Sequence, residues 1–156
     1  MKPLVDDLDR AILSCLYEDG RMPCAEIARR VGHVSVRTVS NRIRRLAQNG
    51  IINIRPIVFP KAIGYNISAD VSVEVAPGKA KEVANRLLKL GRVSYIAVVT
   101  GDRDLDLAVY AVDVEDLQRF IQEELHSTPG VVRTKTYVIT ETIMRTAEWR
   151  MPSDLP

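Results

Sequence analysis

No stretch of the 156-residue chain approaches the ~18–20 consecutive apolar residues that a membrane span needs, so no membrane partner is expected. The opening, Met1-Lys2-Pro3-Leu4-Val5-Asp6-Asp7, lacks the apolar core of a signal peptide. Cysteine is scarce. Cys15 and Cys24 match no metal or redox spacing and stand among apolar positions of helical period. They read as buried free thiols of a reducing cytoplasm. Only two histidines occur, His33 and His126, in different halves of the chain. No cysteine adjoins a histidine and no glycine-rich phosphate loop is present, so no catalytic residue and no cofactor is expected. Asp102, Asp104 and Asp106 form an acidic run, but no His or Glu completes a ligand set, so no metal is expected either.

The most telling absence is of acid. After Glu26 the next carboxylate is Asp70. Between them stand Arg29, Arg30, Arg37, Arg42, Arg44, Arg45, Arg55 and Lys61, a formal +8 in a chain whose net charge is only +2. Residues 61–156 hold 12 basic and 14 acidic side chains, a formal −2. Such a split points to an anionic polymer at one end of the chain.

Within the basic segment, Val36, Val39, Ile43, Leu46 and Ala47 recur with helical period. Ser35 is placed to cap that helix and Asn49-Gly50 to end it. Its opposite face carries Arg37, Asn41, Arg44, Arg45 and Gln48, with Thr38 and Arg42 on the flank. Taken alone, such a face suits ordinary solvent as well as the major groove, where Arg can read guanine, and Asn or Gln adenine. Two helices precede it. The first is capped by Asp6 and striped by Leu8, Ile12, Cys15 and Leu16, with Asp6, Asp7 and Asp9 at its positive end. The second runs from Pro23 through Ala25, Ile27, Ala28 and Val31 to Gly32. Helix, turn, basic helix is a helix-turn-helix arrangement. Arg37, Thr38, Asn41 and Arg42 are then the expected base-edge contacts, Arg44, Arg45 and Arg55 the expected phosphate contacts, Ser35 at the helix entry a further DNA-binding residue, and double-stranded DNA the partner. Residues 51–60, β-branched and interrupted by Pro56 and Pro60, read as an extended linker or edge strand, with a domain boundary near residue 60.

The second half changes period. Ile67 to Val75 alternates as a strand, Ala80 to Leu88 is a helix, and Val93–Thr100 and Leu105–Ala111 are strands. Asp113 caps a helix carrying Leu117, Phe120, Ile121 and Leu125, and a last long strand runs from Val131 to about Ile143. The order β-α-β-β-α-β is ferredoxin-like, so the fold class is α+β: a three-helix domain (1–60), a βαββαβ domain (61–145) and a tail (146–156). Two helices cover one face of the sheet. Ile96, Val98, Ala108, Tyr110, Val132 and Val138 are assigned to the other, an apolar face that asks for a second copy. Trp149, in the tail, is expected to pack on the domain or on a partner subunit.

The chain resembles the Lrp/AsnC (feast/famine) transcription regulators over nearly its whole length. The resemblance is carried by Leu8-Asp9-Arg10-Ala11-Ile12-Leu13, Asp19-Gly20-Arg21, Glu26-Ile27-Ala28-Arg29-Arg30-Val31-Gly32, Ser35 to Leu46, and Asn49-Gly50-Ile51-Ile52. In the second half it is carried by Thr100-Gly101-Asp102-Arg103-Asp104-Leu105 and Gly130-Val131-Val132-Arg133-Thr134-Lys135-Thr136. One departure is Gly32-His33-Val34-Ser35, one residue longer than the family's Gly-Leu-Ser entry to the recognition helix. The resemblance implies an effector-binding and oligomerisation (RAM-type) second domain. It also implies homodimers that assemble into octamers or other higher forms, an amino-acid effector, and action on DNA in the cytoplasm, in association with the nucleoid. Carried over by position, it points to Gly101, Asp102 and Asp104 for the effector, with Thr134 and Thr136 as further candidates. Read without it, the same turn is a polar hairpin with solvent-facing acids. Two other readings stand beside the sequence-specific regulator. One is a DNA-compacting architectural protein. The other is a tetrapyrrole enzyme like the sirohaem decarboxylases, against which the single histidine of the second half weighs.

Overall fold

A computed structural model of the chain describes residues 5–144; Trp149 and the rest of the tail lie outside the described residues. Helix α1 (Asp7–Glu18) starts at a reciprocal capping box. Asp9 donates its N–H to Asp6 Oδ1 at 2.9 Å, and Asp6 donates its own to Asp9 Oδ2 at 3.1 Å. Helix α2 (Cys24–Val31) follows Pro23. Helix α3 (Val36–Gln48) is capped by Ser35, whose Oγ accepts the Thr38 N–H at 3.0 Å. Ile12, Cys15, Met22, Ile27, Ala28 and Val39 form the main core of this unit. Val5, Leu13 and Leu46 form a smaller one, against which Ile51 and Ile52 pack.

Two expectations fail in α3. Val36 and Ala47, assigned to the apolar stripe, are exposed. Helix α3 is 13 residues long and α2 only 8, so the ends of α3 outrun the neighbour that would cover them. In α1 the buried set includes Leu13 and, unexpectedly, Asp9. The turn between α2 and α3 absorbs its extra residue by placing Gly32 (φ +73) and His33 (φ +54) both at positive φ. A non-glycine there is uncommon, although His is among the residues enriched in that region. Residues 51–59 form no strand, and Pro60–Ile63 is a single 3₁₀ turn. The described residues fall into two compact units that divide between Ile57 and Val58.

The second unit is a four-stranded antiparallel sheet of order β2-β3-β1-β4, built from β1 (Ile67–Val75), β2 (Val93–Val98), β3 (Leu105–Ala111) and β4 (Val131–Val138). Helix α4 (Ala80–Leu87) and helix α5 (Val114–Arg119) pack on one face, α5 being capped by Asp113. Past Arg119 the chain widens into a π-helical turn over Phe120–Leu125, closed by the His126 N–H on Ile121 O at 2.9 Å. That wider turn brings Phe120 and Leu125, five residues apart, into the core together. Val71, Val73, Leu105, Leu107, Val83 and Leu87 complete it.

The sheet's second face is not the apolar surface expected. A bulge between Val93 and Tyr95 inverts the alternation of β2. Ile96 therefore pairs with Leu107, and Val98 with Leu105, on the helix-covered face. In β4, Val138 pairs with Ala69, again on the covered face. Of the six residues assigned to the open face, the registers keep Ala108 and Tyr110 there. Their companions are Tyr95, Asp70, Ser72, Glu74, Arg133, Lys135 and Tyr137, a mixed polar and tyrosine-bearing surface. The last strand also stops at Val138 rather than near Ile143.

Candidate functional site

The basic segment is free of acid in sequence but not in space. Glu26 takes the guanidinium of Arg29 at 2.6 Å and that of Arg30 at 2.9 Å, and Glu18 takes Arg30 at 2.6 Å. These two arginines hold the Glu26 carboxyl down to about 2, Arg29 contributing most. Arg42, expected at base edges, turns instead to α1, where it pairs with Asp6 and with Asp9 Oδ1 at 3.2 Å. Arg45, expected on phosphate, pairs with the other oxygen of Asp9. Asp9 is wholly buried, and Asp6 is held down to about 2, chiefly by the Arg42 hydrogen bond. Sequence reasoning missed Asp9 as a partner of α3. The available signal was its position: Asp9, Ile12, Leu13 and Leu16 follow one helical face, so an acid there needs a buried cation.

What remains outward on α3 is narrower than expected. Arg37, Asn41, Arg44 and Gln48 are exposed, and Arg45 is exposed too although its guanidinium is paired with Asp9. Among the described residues neither Arg37 nor Arg44 has a carboxylate partner; Arg44 Nη1 lies 3.5 Å from Asn41 Oδ1. Thr38 is half-buried, its hydroxyl 2.9 Å from that of Ser35, and Ser35 is occupied with capping. Arg55 is exposed, its Nε on Asn53 Oδ1 at 3.0 Å.

On the second unit, a shallow depression opens on the uncovered sheet face. It is lined by Ser72 and Glu74 of β1, by Asp102 and Arg103 of the turn, and by Arg133, Thr134, Lys135 and Tyr137 of β4. The structure thus brings Asp102 there, its side chain 81% exposed. It separates the other candidates. Asp104 is consumed by the fold, with Oδ2 accepting the Val75 N–H at 2.8 Å and its own N–H donated to Val73 O at 3.1 Å. Thr134 is among the lining residues, but its hydroxyl lies 2.8 Å from His126 Nε2. Thr136 pairs with Val71, on the helix-covered face. Gly101, at φ +144, shapes the turn without lining the depression. Arg103, Arg133, Lys135 and Glu74 were not foreseen as site residues, Arg133 and Lys135 because the β4 register that exposes them is opposite to the one expected. Glu74 lies 4.0 Å from Arg133, and Arg103 lies 3.2 Å from Asp106.

Residues 5–47, which span α1, α2 and all but the last residue of α3, match the AsnC-type helix-turn-helix domain, and residues 68–149 match the Lrp/AsnC ligand binding domain. The chain belongs to the Lrp/AsnC family. The family's proteins are DNA-binding transcription regulators, and this chain is one of them. Among the proteins it is similar to, the HTH-type transcriptional regulator FL11 of Pyrococcus furiosus is 33% identical over 95% of this chain and 97% of its own. The HTH-type transcriptional regulator PH0140 of Pyrococcus horikoshii is 38% identical over 87% of this chain and 86% of its own. The solved structure of E. coli AsnC superposes with a TM-score of 0.86 at 28% identity, over 92% of this chain and 98% of that one. A feast or famine regulatory protein of M. tuberculosis, complexed with L-methionine, gives 0.85 at 29% identity, over 94% and 99%.

Proposed function

We propose that this regulator reads double-stranded operator DNA with the outer face of α3, Arg37 and Asn41 at base edges, Thr38 beside them and Arg44 and Arg55 on phosphate. The observation that carries the assignment is the division of the arginines. Arg42 and Arg45 are bound to α1, whereas Arg37 and Asn41 face outward from the N-terminal half of the helix, the half that enters a groove, with Arg44 exposed about one turn further on. A duplex selected from random sequence by the protein, titrated beside a scrambled duplex, tests it. Asn41→Ala and Arg37→Ala should each cost the selected duplex about 1–3 kcal/mol and the scrambled one much less. Equal loss on both duplexes moves these residues to the phosphate class. Equal affinity of the parent protein for both favours the architectural reading over the specific one.

The effector is an amino acid, held in the depression on the open sheet face. A zwitterion needs a carboxylate for its ammonium and cations for its carboxylate, and the lining offers Asp102 and Glu74 for the first and Arg133 and Lys135 for the second. The L-methionine bound by the M. tuberculosis relative supports that ligand class. The protein works as a homodimer or a higher symmetric oligomer on chromosomal DNA, with Tyr95, Tyr110 and Tyr137 of the open face as the apolar part of a self-association surface. Footprinting across the genome with and without pooled amino acids, and light scattering of the purified protein, test these points together. A footprint indifferent to every amino acid removes the effector, and a monomer at micromolar concentration removes the oligomer.

A further inference from the structure

The recognition helix carries four arginines, Arg37, Arg42, Arg44 and Arg45, and two of them are paired with carboxylates of α1, Arg42 half-buried and Arg45 still 44% exposed. Resting on the DNA-binding reading above, we propose that Asp6 and Asp9 withhold Arg42 and Arg45 from the DNA backbone, and so set the ratio of specific to non-specific binding. The two carboxylates are held in place without the arginines, because each accepts the other's backbone N–H in the capping box of α1. Asp9 is wholly buried and offers one oxygen to each guanidinium. Arg42 is only 27% exposed as a result, although its neighbour Asn41 faces solvent.

The pairs neutralise the buried Asp9 carboxylate, and they also act on what the two arginines can reach. A buried ion pair gains little over a well-packed apolar pair, because desolvating two charges offsets most of their attraction. Its consequence for DNA is direct. Each arginine on a phosphate adds about 0.9 to the salt slope of binding, whatever the base sequence. Freeing Arg42 and Arg45 would add to that sequence-blind part, while Arg37 and Asn41 would read no additional base. The Arg42 hydrogen bond holds the Asp6 carboxyl down to about 2, so this pair stays charged well below neutral pH.

Asp6→Asn is the informative variant, since Asn caps a helix as well as Asp does but carries no charge. Asp6→Ser serves the same end should the amide disturb the cluster. Salt titrations by fluorescence anisotropy on a scrambled 30-base-pair duplex should show the slope steepen, by up to about 0.9 per protomer as Arg42 also leaves its 3.2 Å contact with Asp9 for phosphate; a change of 0.9 is about eightfold tighter at 0.1 M salt relative to 1 M. The ratio of selected to scrambled affinity should fall. Adding Arg42→Gln to Asp6→Asn should return the slope to the parent value, a reversal that lost helix stability could not produce. An unchanged or shallower slope in both neutral variants, with parental melting temperatures, overturns the proposal. The selected duplex reports separately on the regulator: equal parental affinity for both duplexes refutes specific recognition whatever the Asp6 variants do.

Discussion

Gly130 opens β4, the strand that carries Arg133 and Lys135, and it allows a test worked from distances. Its φ is +100, and its carbonyl accepts the Ala76 N–H at 2.9 Å. A Cβ placed there would stand 2.8 Å from Val83 Cγ2 and 3.8 Å from Lys79 Cβ. Val83 is wholly buried among Leu87, Leu125 and the sheet, so its methyl has little room to withdraw. Gly130→Ala therefore meets two costs. Positive φ in an L-residue costs about 1–2 kcal/mol, and forcing a methyl into a filled core costs about 1–3 kcal/mol. Together they amount to about 2–5 kcal/mol. Gly78→Ala is the control, since Gly78 also has positive φ (+74) but no heavy atom within 4 Å of the added carbon. Urea unfolding followed by far-UV circular dichroism should rank Gly130→Ala below Gly78→Ala by the steric share alone. When Gly130→Ala is combined with Val83→Ala the losses should fall short of additive, because the smaller side chain at position 83 removes the contact. If Gly130→Ala costs no more than Gly78→Ala, the close approach of β4 to α4 is misjudged.

Other outcomes follow from the helix-turn-helix turn and from the buried acids. His33→Gly should leave the protein as stable as the parent or stabilise it by up to about 1 kcal/mol, because glycine takes φ +54 without steric cost; a clear loss in thermal melting would show that the imidazole makes a contact that outweighs the strain. Asp116 accepts the Val112 N–H at 3.0 Å and pairs with Arg92 and Arg119, and these partners, Arg92 first, hold its carboxyl down to about 2, as Arg42 does for Asp6. Both groups are depressed, so their stabilisation is complete above the ordinary carboxylate value near 3.8 and is lost as pH falls from there toward 2. The urea midpoint should hold steady from pH 7 to about pH 5 and then fall; a midpoint unchanged down to pH 2 would contradict the ion pairs. In the depression, Arg133→Gln and Asp102→Asn should each abolish the calorimetric signal of an amino-acid titration that Asp104→Asn merely weakens through the fold, and equal signals in all three would place the effector elsewhere.

Much of this chain is legible as a line of residues. Helical period, the caps at Asp6, Ser35 and Asp113, and the change to alternation after Ile67 locate the helices and strands, because those signals are local: a cap involves three neighbours, and a strand's alternation is a property of the strand. The family motifs likewise identify a regulator with a DNA-binding end. What is not legible depends on residues far apart in the chain. The partners of Arg42 and Arg45 lie 33 to 36 positions away, on another helix, so an acid-free segment reads as a free cationic surface when it is not one. Asp104, expected to be an effector ligand, is claimed by Val75, 29 residues earlier.

The sheet shows the same division. Composition and period determined that a four-stranded ferredoxin-like unit would form and which of its helices cover it. Which face each residue of β2 and β4 presents was decided by a single bulge and by pairing with β3 and β1, since a one-residue offset sends a whole strand's side chains to the opposite side. For the DNA-binding unit, local pattern was enough to establish a basic, capped helix on a small apolar scaffold. Only the tertiary structure decided which of its arginines face outward, because the buried carboxylate of Asp9 must be neutralised by a nearby cation, and Arg42 and Arg45 are the cations within reach.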